Sequence, residues 1–185
     1  MRIVGGRFRG RGLATPDSNA IRPTTDRTRE SLFNILAHTY PEKFESTRVL
    51  DLFAGTGALG LEAMSRGARY GIFIEASAQG RGLIRTSVEA FGLNGNTKIF
   101  SRDATRLGDA GNVEPFDLVF ADPPYGKGLG EMAFKSALDG GWLKPDTLLI
   151  LEEEAEAVVD LDPRFVVVEE RPYGGTIIRL VTLKS

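Results

Sequence analysis

The chain of 185 residues contains no cysteine. That excludes disulfides, thiolate nucleophiles and zinc-thiolate centres, and it suits a reducing, cytoplasmic setting. There is one histidine, His38, too few for a histidine-rich metal site, and no metal is expected. No apolar run approaches the length of a membrane span, and the N-terminus lacks a long apolar stretch ahead of a cleavage site, so neither a membrane partner nor a signal peptide is expected. What remains is ordinary for a packed domain, with 42% hydrophobic and 26% charged residues.

The net charge of −2 argues against a polyanionic partner, but its distribution argues for one. Residues 1–29 carry seven arginines (Arg2, Arg7, Arg9, Arg11, Arg22, Arg27, Arg29) against Asp17 and Asp26, an excess of +5, which leaves −7 on the rest. A basic arm on an acidic body is one reading, because clustered arginine attracts phosphate backbones. Chance clustering of surface arginines is the other, and charge alone does not choose between them.

Residues 1–14 read as a short hairpin or an extended arm, with Gly5-Gly6 as the turn signal. Pro16 and Pro23 mark a loop over 15–24. A helix capped by Thr25 or Asp26 follows, with Leu32, Phe33, Ile35 and Leu36 on one face, ending before Pro41. From Arg48 the pattern alternates. Strands are expected at 49–53, 70–75, 98–101, 116–121 and 148–152, with helices at 59–66, 80–91 and 134–138. Two β-rich segments, 165–170 and 176–183, join through Pro172–Gly175. This predicts an α/β fold: a doubly wound, mostly parallel seven-stranded sheet of Rossmann-like type, with an antiparallel C-terminal hairpin and a small basic N-terminal extension. The division expected is an arm and helix over 1–45 and the α/β domain over 46–185.

Two motifs carry chemistry. Asp51-Leu-Phe-Ala-Gly-Thr-Gly57 runs from a strand into a helix, and glycines there let the backbone approach a ligand. Ligands of open α/β sheets bind at the carboxyl ends of strands. Phe53, Ala54, Gly55 and Gly57 would form the wall. Glu75 would accept from two ribose hydroxyls, Asp103 from an exocyclic adenine amine, and the Ala104 N–H would donate to the ring. The loop also fits a dinucleotide pattern. Asp51 favours S-adenosylmethionine, since a carboxylate beside the loop suits an α-amino group and offers nothing to a pyrophosphate. The chain is also too short for the second domain of an NAD enzyme.

The second motif, Asp122-Pro-Pro-Tyr125, ends the fourth strand. The Asp122 carboxylate and the Pro123 carbonyl are two acceptors for the two N–H bonds of an amino group whose lone pair is delocalised. Tyr125 is a flat face for a planar base. Such a base must be unpaired or flipped to enter. Elsewhere bland readings prevail: His38 at the surface, Trp142 in packing, Glu152-Glu153-Glu154 on a solvated face after a strand, and Tyr173-Gly174-Gly175 in a turn.

The chain resembles the bacterial 16S ribosomal RNA guanine-N2 methyltransferases over nearly its whole length. The resemblance rests on residues 3–11 (Ile-Val-Gly-Gly-Arg-Phe-Arg-Gly-Arg), Arg22-Pro-Thr-Thr-Asp-Arg27 with residues 29–34, the run from Asp51 to Ala63, and Asp122–Tyr125. It implies a class I S-adenosylmethionine-dependent fold, guanine N2 as the target, 16S ribosomal RNA of the small subunit or its assembly intermediate as partner, and a monomer. It also implies that Thr24 and Arg29 lie over the cofactor, while the clustered charge of the arm makes Arg2, Arg7, Arg9, Arg11 and Arg22 the expected RNA contacts. Two alternatives stay open: an amino-methyltransferase acting on DNA adenine or cytosine or on protein glutamine, and a nucleotide-binding module without transferase activity.

Overall fold

Three short apolar strands, β1 (Arg48–Asp51), β2 (Tyr70–Ile74) and β4 (Phe116–Ala121), form the centre of the sheet and are almost entirely buried. Continuous apolar runs of this kind belong to parallel strands covered on both faces. With β3 (Thr97–Phe100), β5 (Leu143–Glu154), β6 (Phe165–Tyr173) and β7 (Thr176–Leu183) they make a seven-stranded sheet in the order β3-β2-β1-β4-β5-β7-β6. The first five strands run parallel, and β7 runs antiparallel to both β5 and β6. These features are those of a computed structural model, which describes residues 1–17 and 25–185.

Helices α1 (Asp26–Thr39), α2 (Ala58–Ser65) and α3 (Ala78–Ala90) cover one face. Leu32, Phe33, Leu61, Met64, Ile84 and Val88 pack there with Phe73 and Phe120. Helix α4 (Leu129–Asp139) covers the other, where Phe134 and Ala137 pack with Phe116, Trp142 and Ile72. Thr25 caps α1, its hydroxyl accepting from the Thr28 N–H at 3.1 Å. Every residue of α2 is buried. No described helix is long and apolar enough to cross a membrane.

The order reverses between β2-β1 and β4-β5, so β1 and β4 flank the switch point at which such sheets bind ligands. Two expected boundaries move most, by five residues each. Helix α4 begins at Leu129, five residues before the expected start, and β5 begins at Leu143. The β4–β5 register shifts between Phe116, paired with Leu143, and Leu118, paired with Leu148.

Residues 1–14 form a compact hairpin. Ile3 N–H donates to the Arg11 carbonyl (2.9 Å) and Leu13 N–H to the Met1 carbonyl (3.0 Å), with Ile3 and Leu13 buried. The glutamate run departs from expectation. Glu152 and Glu153 are 7% and 1% exposed within β5, not on a solvated face. The loop after β4 supplies a hydrogen-bond donor to each of them.

Candidate functional site

A cavity of about 440 Å³ opens at the carboxyl ends of β1, β2, β3 and β4. The loop after β1 contributes Phe53, Ala54 and Gly55, β2 ends in Glu75, and the segments after β3 and β4 contribute Asp103, Ala104, Asp122 and Pro123. Eight residues expected at a ligand site thus meet on one wall. Asp51, Gly57, Tyr125 and Arg29 lie outside that lining. Thr24 and Arg22 lie outside the described residues.

Glycine conformation shapes the loop. Gly55 and Gly57 have φ of 57° and 82°, in the left-handed region that favours residues without a Cβ. The Gly55 N–H donates to Glu75 Oε1 at 2.8 Å and ties the loop to the end of β2. The other Glu75 oxygen accepts from the Ser77 amide (2.9 Å) and hydroxyl (2.7 Å). Asp103 lies past the end of β3, where its Oδ1 accepts from the Thr105 amide and hydroxyl; these two bonds hold its carboxyl below the usual carboxylate range. Ala104 is buried beside it.

Asp51 sits behind this wall, 1% exposed. Its Oδ2 accepts from the Gly60 N–H at 3.0 Å, while its buried Oδ1 has no hydrogen-bond partner. Burial raises its carboxyl to about 7, with further upward pressure from the charges of Asp122 and Glu75, against the Gly60 hydrogen bond. Three carboxylates lining the cavity, Glu75, Asp103 and Asp122, and an unsatisfied carboxylate oxygen on Asp51 behind its wall describe a site suited to a ligand with cationic groups. Among the described residues no cluster of His, Asp or Glu is spaced to hold a metal ion.

The loop after β4 is held from below. Asp122 is half-buried and Pro123 buried, and Pro124, rather than Tyr125, joins the lining. The Tyr125 hydroxyl donates to Glu152 Oε1 at 3.2 Å. The Gly126 and Glu154 amides both donate to Glu153 Oε1, at 3.0 and 2.8 Å. Sequence reasoning missed Glu152 and Glu153. It also missed Ser77, which caps α3 through the Gly80 N–H; a serine ahead of an expected helix was the available signal.

Arg29 is fully buried away from the cavity lining. Its guanidinium meets Glu62 (3.4 Å), Asp26 (2.9 Å) and the Arg2 carbonyl. Arg2, Arg7, Arg9 and Arg11 are exposed on the hairpin.

Comparison with known proteins adds five findings. The family model described as conserved hypothetical protein 95 matches residues 1–182. A protein of Escherichia coli K12 named ribosomal RNA small subunit methyltransferase D is 42% identical over 158 residues, covering 84% of this chain and 76% of that protein. The protein of the same name from Haemophilus influenzae is 31% identical over 182 residues, covering 97% and 92%. Among solved structures, an Escherichia coli protein provisionally described as a methyltransferase superposes with a TM-score of 0.84 at 34% identity, covering 100% of this chain and 98% of that one. TrmN from Thermus thermophilus, 23% identical over 84% of this chain and 48% of its own, shares the fold with a TM-score of 0.69.

Proposed function

We propose, from the premise that this chain belongs to the conserved hypothetical protein 95 family, that it transfers a methyl group from S-adenosylmethionine to the exocyclic N2 of a guanine in small-subunit ribosomal RNA. The relatives named as small-subunit ribosomal RNA methyltransferases supply the substrate class. One observation carries the chemistry: the glycine loop with its acidic strand ends and the Asp122-Pro123 segment face the same cavity. In this reading residues 1–45 are the RNA-contacting part and 46–185 the transferase domain.

The site fits the cofactor. The orphaned Asp51 Oδ1 is suited to the α-amino group of the methionine part, Glu75 to the ribose hydroxyls, and Asp103 with the Ala104 N–H to the adenine. Phe53, Ala54, Gly55 and Gly57 shape the wall. When bound, S-adenosylmethionine supplies a methyl group on a positively charged sulfur. The protein's part is then positioning and electrostatics. The Asp122 carboxylate and the Pro123 carbonyl accept the two N–H bonds of the guanine amino group, which favours pyramidal nitrogen and stabilises the positive charge that develops there. Tyr125, which follows the lining residues Pro123 and Pro124, is the face on which the base would stack, and its hydroxyl donates to Glu152. Arg2, Arg7, Arg9 and Arg11 hold the RNA backbone.

Incubation with methyl-labelled S-adenosylmethionine and small ribosomal subunits lacking the modification, followed by nucleoside mass spectrometry, should give N2-methylguanosine. A label on adenine, cytosine or protein would overturn the assignment. Asp122→Ala should keep cofactor affinity and lower turnover by about 10²–10³. Unchanged turnover would remove Asp122 from the mechanism.

A further inference from the structure

We propose that Lys127 is a substrate-binding residue: its ammonium holds a phosphate beside the flipped target guanosine and so sets how the base is seated in the cavity. The proposal rests on the reading of the substrate as RNA and names a contact apart from those of the N-terminal arm.

Lys127 belongs to the loop that carries the chemistry. Asp122, Pro123, Pro124 and Leu129 line the cavity, and Lys127 lies between the last two, exposed and outside the lining. A flipped nucleotide enters base first. A guanine with its amino group on Asp122 therefore leaves its ribose and phosphates at the mouth. A cation on this stretch, outside the cavity and next to its rim, meets the sugar–phosphate side of the target rather than the cofactor.

Its charge is free. Residues 116–185 hold thirteen Asp and Glu residues against seven Lys and Arg. Of those seven, Lys135, Lys144, Arg164, Arg171 and Arg179 each meet a carboxylate within 3.3 Å. Lys184 follows β7, at the end of the sheet away from the cavity. The Lys127 ammonium has no partner among the described residues, although carboxylate oxygens approach both its neighbours. A Cβ on Gly126 would lie 2.9 Å from Glu154 Oε1, and one on Gly128 would lie 3.8 Å from Glu131 Oε2. The one cation in the cavity lining, Arg102, stands past β3 and donates to the Leu107 carbonyl at 3.1 Å. Among the described residues on the β4 side of the mouth, where carboxylates repel phosphate, Lys127 alone attracts it.

The backbone that carries it is anchored on both sides. Gly126 and Gly128 have φ of 75° and 67°, in the left-handed region that favours glycine. One residue before Lys127, the Gly126 N–H donates to the buried Glu153 at 3.0 Å. One residue after it, the Gly128 carbonyl accepts the Met132 N–H at 3.2 Å and opens α4. Lys127 thus swings a free ammonium about a fixed Cα, in the same loop as Asp122. A phosphate held there fixes the base relative to the two acceptors of its amino group.

The test is steady-state methylation of small ribosomal subunits lacking the modification, with subunit affinity measured over a range of salt concentrations. It compares the wild type with Lys127→Ala, Lys127→Arg and Lys127→Glu. Lys127→Ala should lower kcat about tenfold as well as weaken affinity, because a displaced base no longer meets Asp122 and Pro123 squarely. The slope of log affinity against log salt should fall by about 0.7, the value of one single-strand phosphate contact. Lys127→Arg should recover most of both losses, and Lys127→Glu should lose more than Lys127→Ala. The affinity for S-adenosylmethionine should stay unchanged in all three. A higher KM with kcat unchanged would make Lys127 a peripheral contact and overturn the proposal. A loss of cofactor affinity would assign the ammonium to the cofactor and overturn it too, as would no change at all. In each of these cases N2-methylguanosine still forms in the wild type. If the wild type forms none, the reading of the substrate falls and the Lys127 contact with it.

Discussion

Burial at the end of β1 leaves Asp51 with one accepted hydrogen bond and one orphaned oxygen, and raises its carboxyl to about 7. In the unfolded chain the same group titrates near the ordinary aspartate value of 3.8. Between these values the folded state holds a proton that the unfolded state has lost, so this group's contribution to stability is lost as pH rises toward 7. Asp51→Asn should therefore raise the melting temperature of the cofactor-free protein, and the gain should grow between about pH 4 and pH 7 and then level off. A cationic cofactor group requires the ionised form. Wild-type cofactor affinity, measured by calorimetry, should weaken as pH falls below about 7, and the asparagine variant should bind more weakly with a flatter profile. A flat wild-type profile would detach Asp51 from the ligand. Tyr125 allows a different separation. Tyr125→Ala should raise KM for RNA about tenfold to a hundredfold through lost stacking, whereas Tyr125→Phe, which loses the bond to Glu152 but keeps the ring, should change it less. Equal effects would assign the role to the hydroxyl. Asp51, Glu75 and Asp122 were legible because each follows or ends an apolar strand in a recognisable spacing. Glu152 and Glu153 were not. Three consecutive acidic residues read as solvated, and their partners, the Tyr125 hydroxyl and the Gly126 amide, are brought to them only by the pairing of β4 with β5.

At the scale of elements, the strands buried on both faces announced themselves as unbroken apolar runs, and β4 and β7 have the expected bounds. The start of helix α4 did not, because Gly128 and Gly130 resemble loop residues. Gly128 is in fact the left-handed N-cap, and Gly130 is the helical position where a Cβ would come within 2.4 Å of Leu151 Cδ1. The segment before β5 turns on Trp142. This side chain is fully buried, stacks on Phe116 (centroids 6.3 Å apart) and donates from Nε1 to the Gly108 carbonyl at 2.9 Å. It joins the α4 face to the loop after β3. Trp142→Ala should cost about 3–5 kcal/mol in chemical denaturation, with little change in the cofactor affinity of the protein that remains folded. A loss below about 1 kcal/mol would mean that the cavity collapses without consequence.

For the whole molecule, sequence revealed a basic arm but not its order, since glycine–arginine interleaving also occurs in flexible segments. What orders it is long-range: a buried carboxylate on α2, 57 and 58 residues away, accepts from two arm amides. Glu62→Gln replaces one acceptor with a donor facing the Gly5 N–H or the Val4 N–H. With charged hydrogen bonds worth about 1.5–3 kcal/mol, trypsin should cleave after Arg7, Arg9 and Arg11 at least about tenfold faster in the folded variant. Unchanged cleavage would show that the hydrogen bond from the Phe8 N–H to the Ser65 hydroxyl and the stacking of Phe8 on Phe91 suffice. The sheet order carries a consequence for synthesis. Strand β7 follows β6 in the chain yet lies between β5 and β6, which do not pair with each other. While the chain is being made, β5 and β6 both stand with open edges until residues 176–183 emerge, and unpaired edges of this kind invite association with other chains. The nascent protein is thus most exposed to misassembly just before its final strand arrives, and that strand closes the sheet in a single insertion.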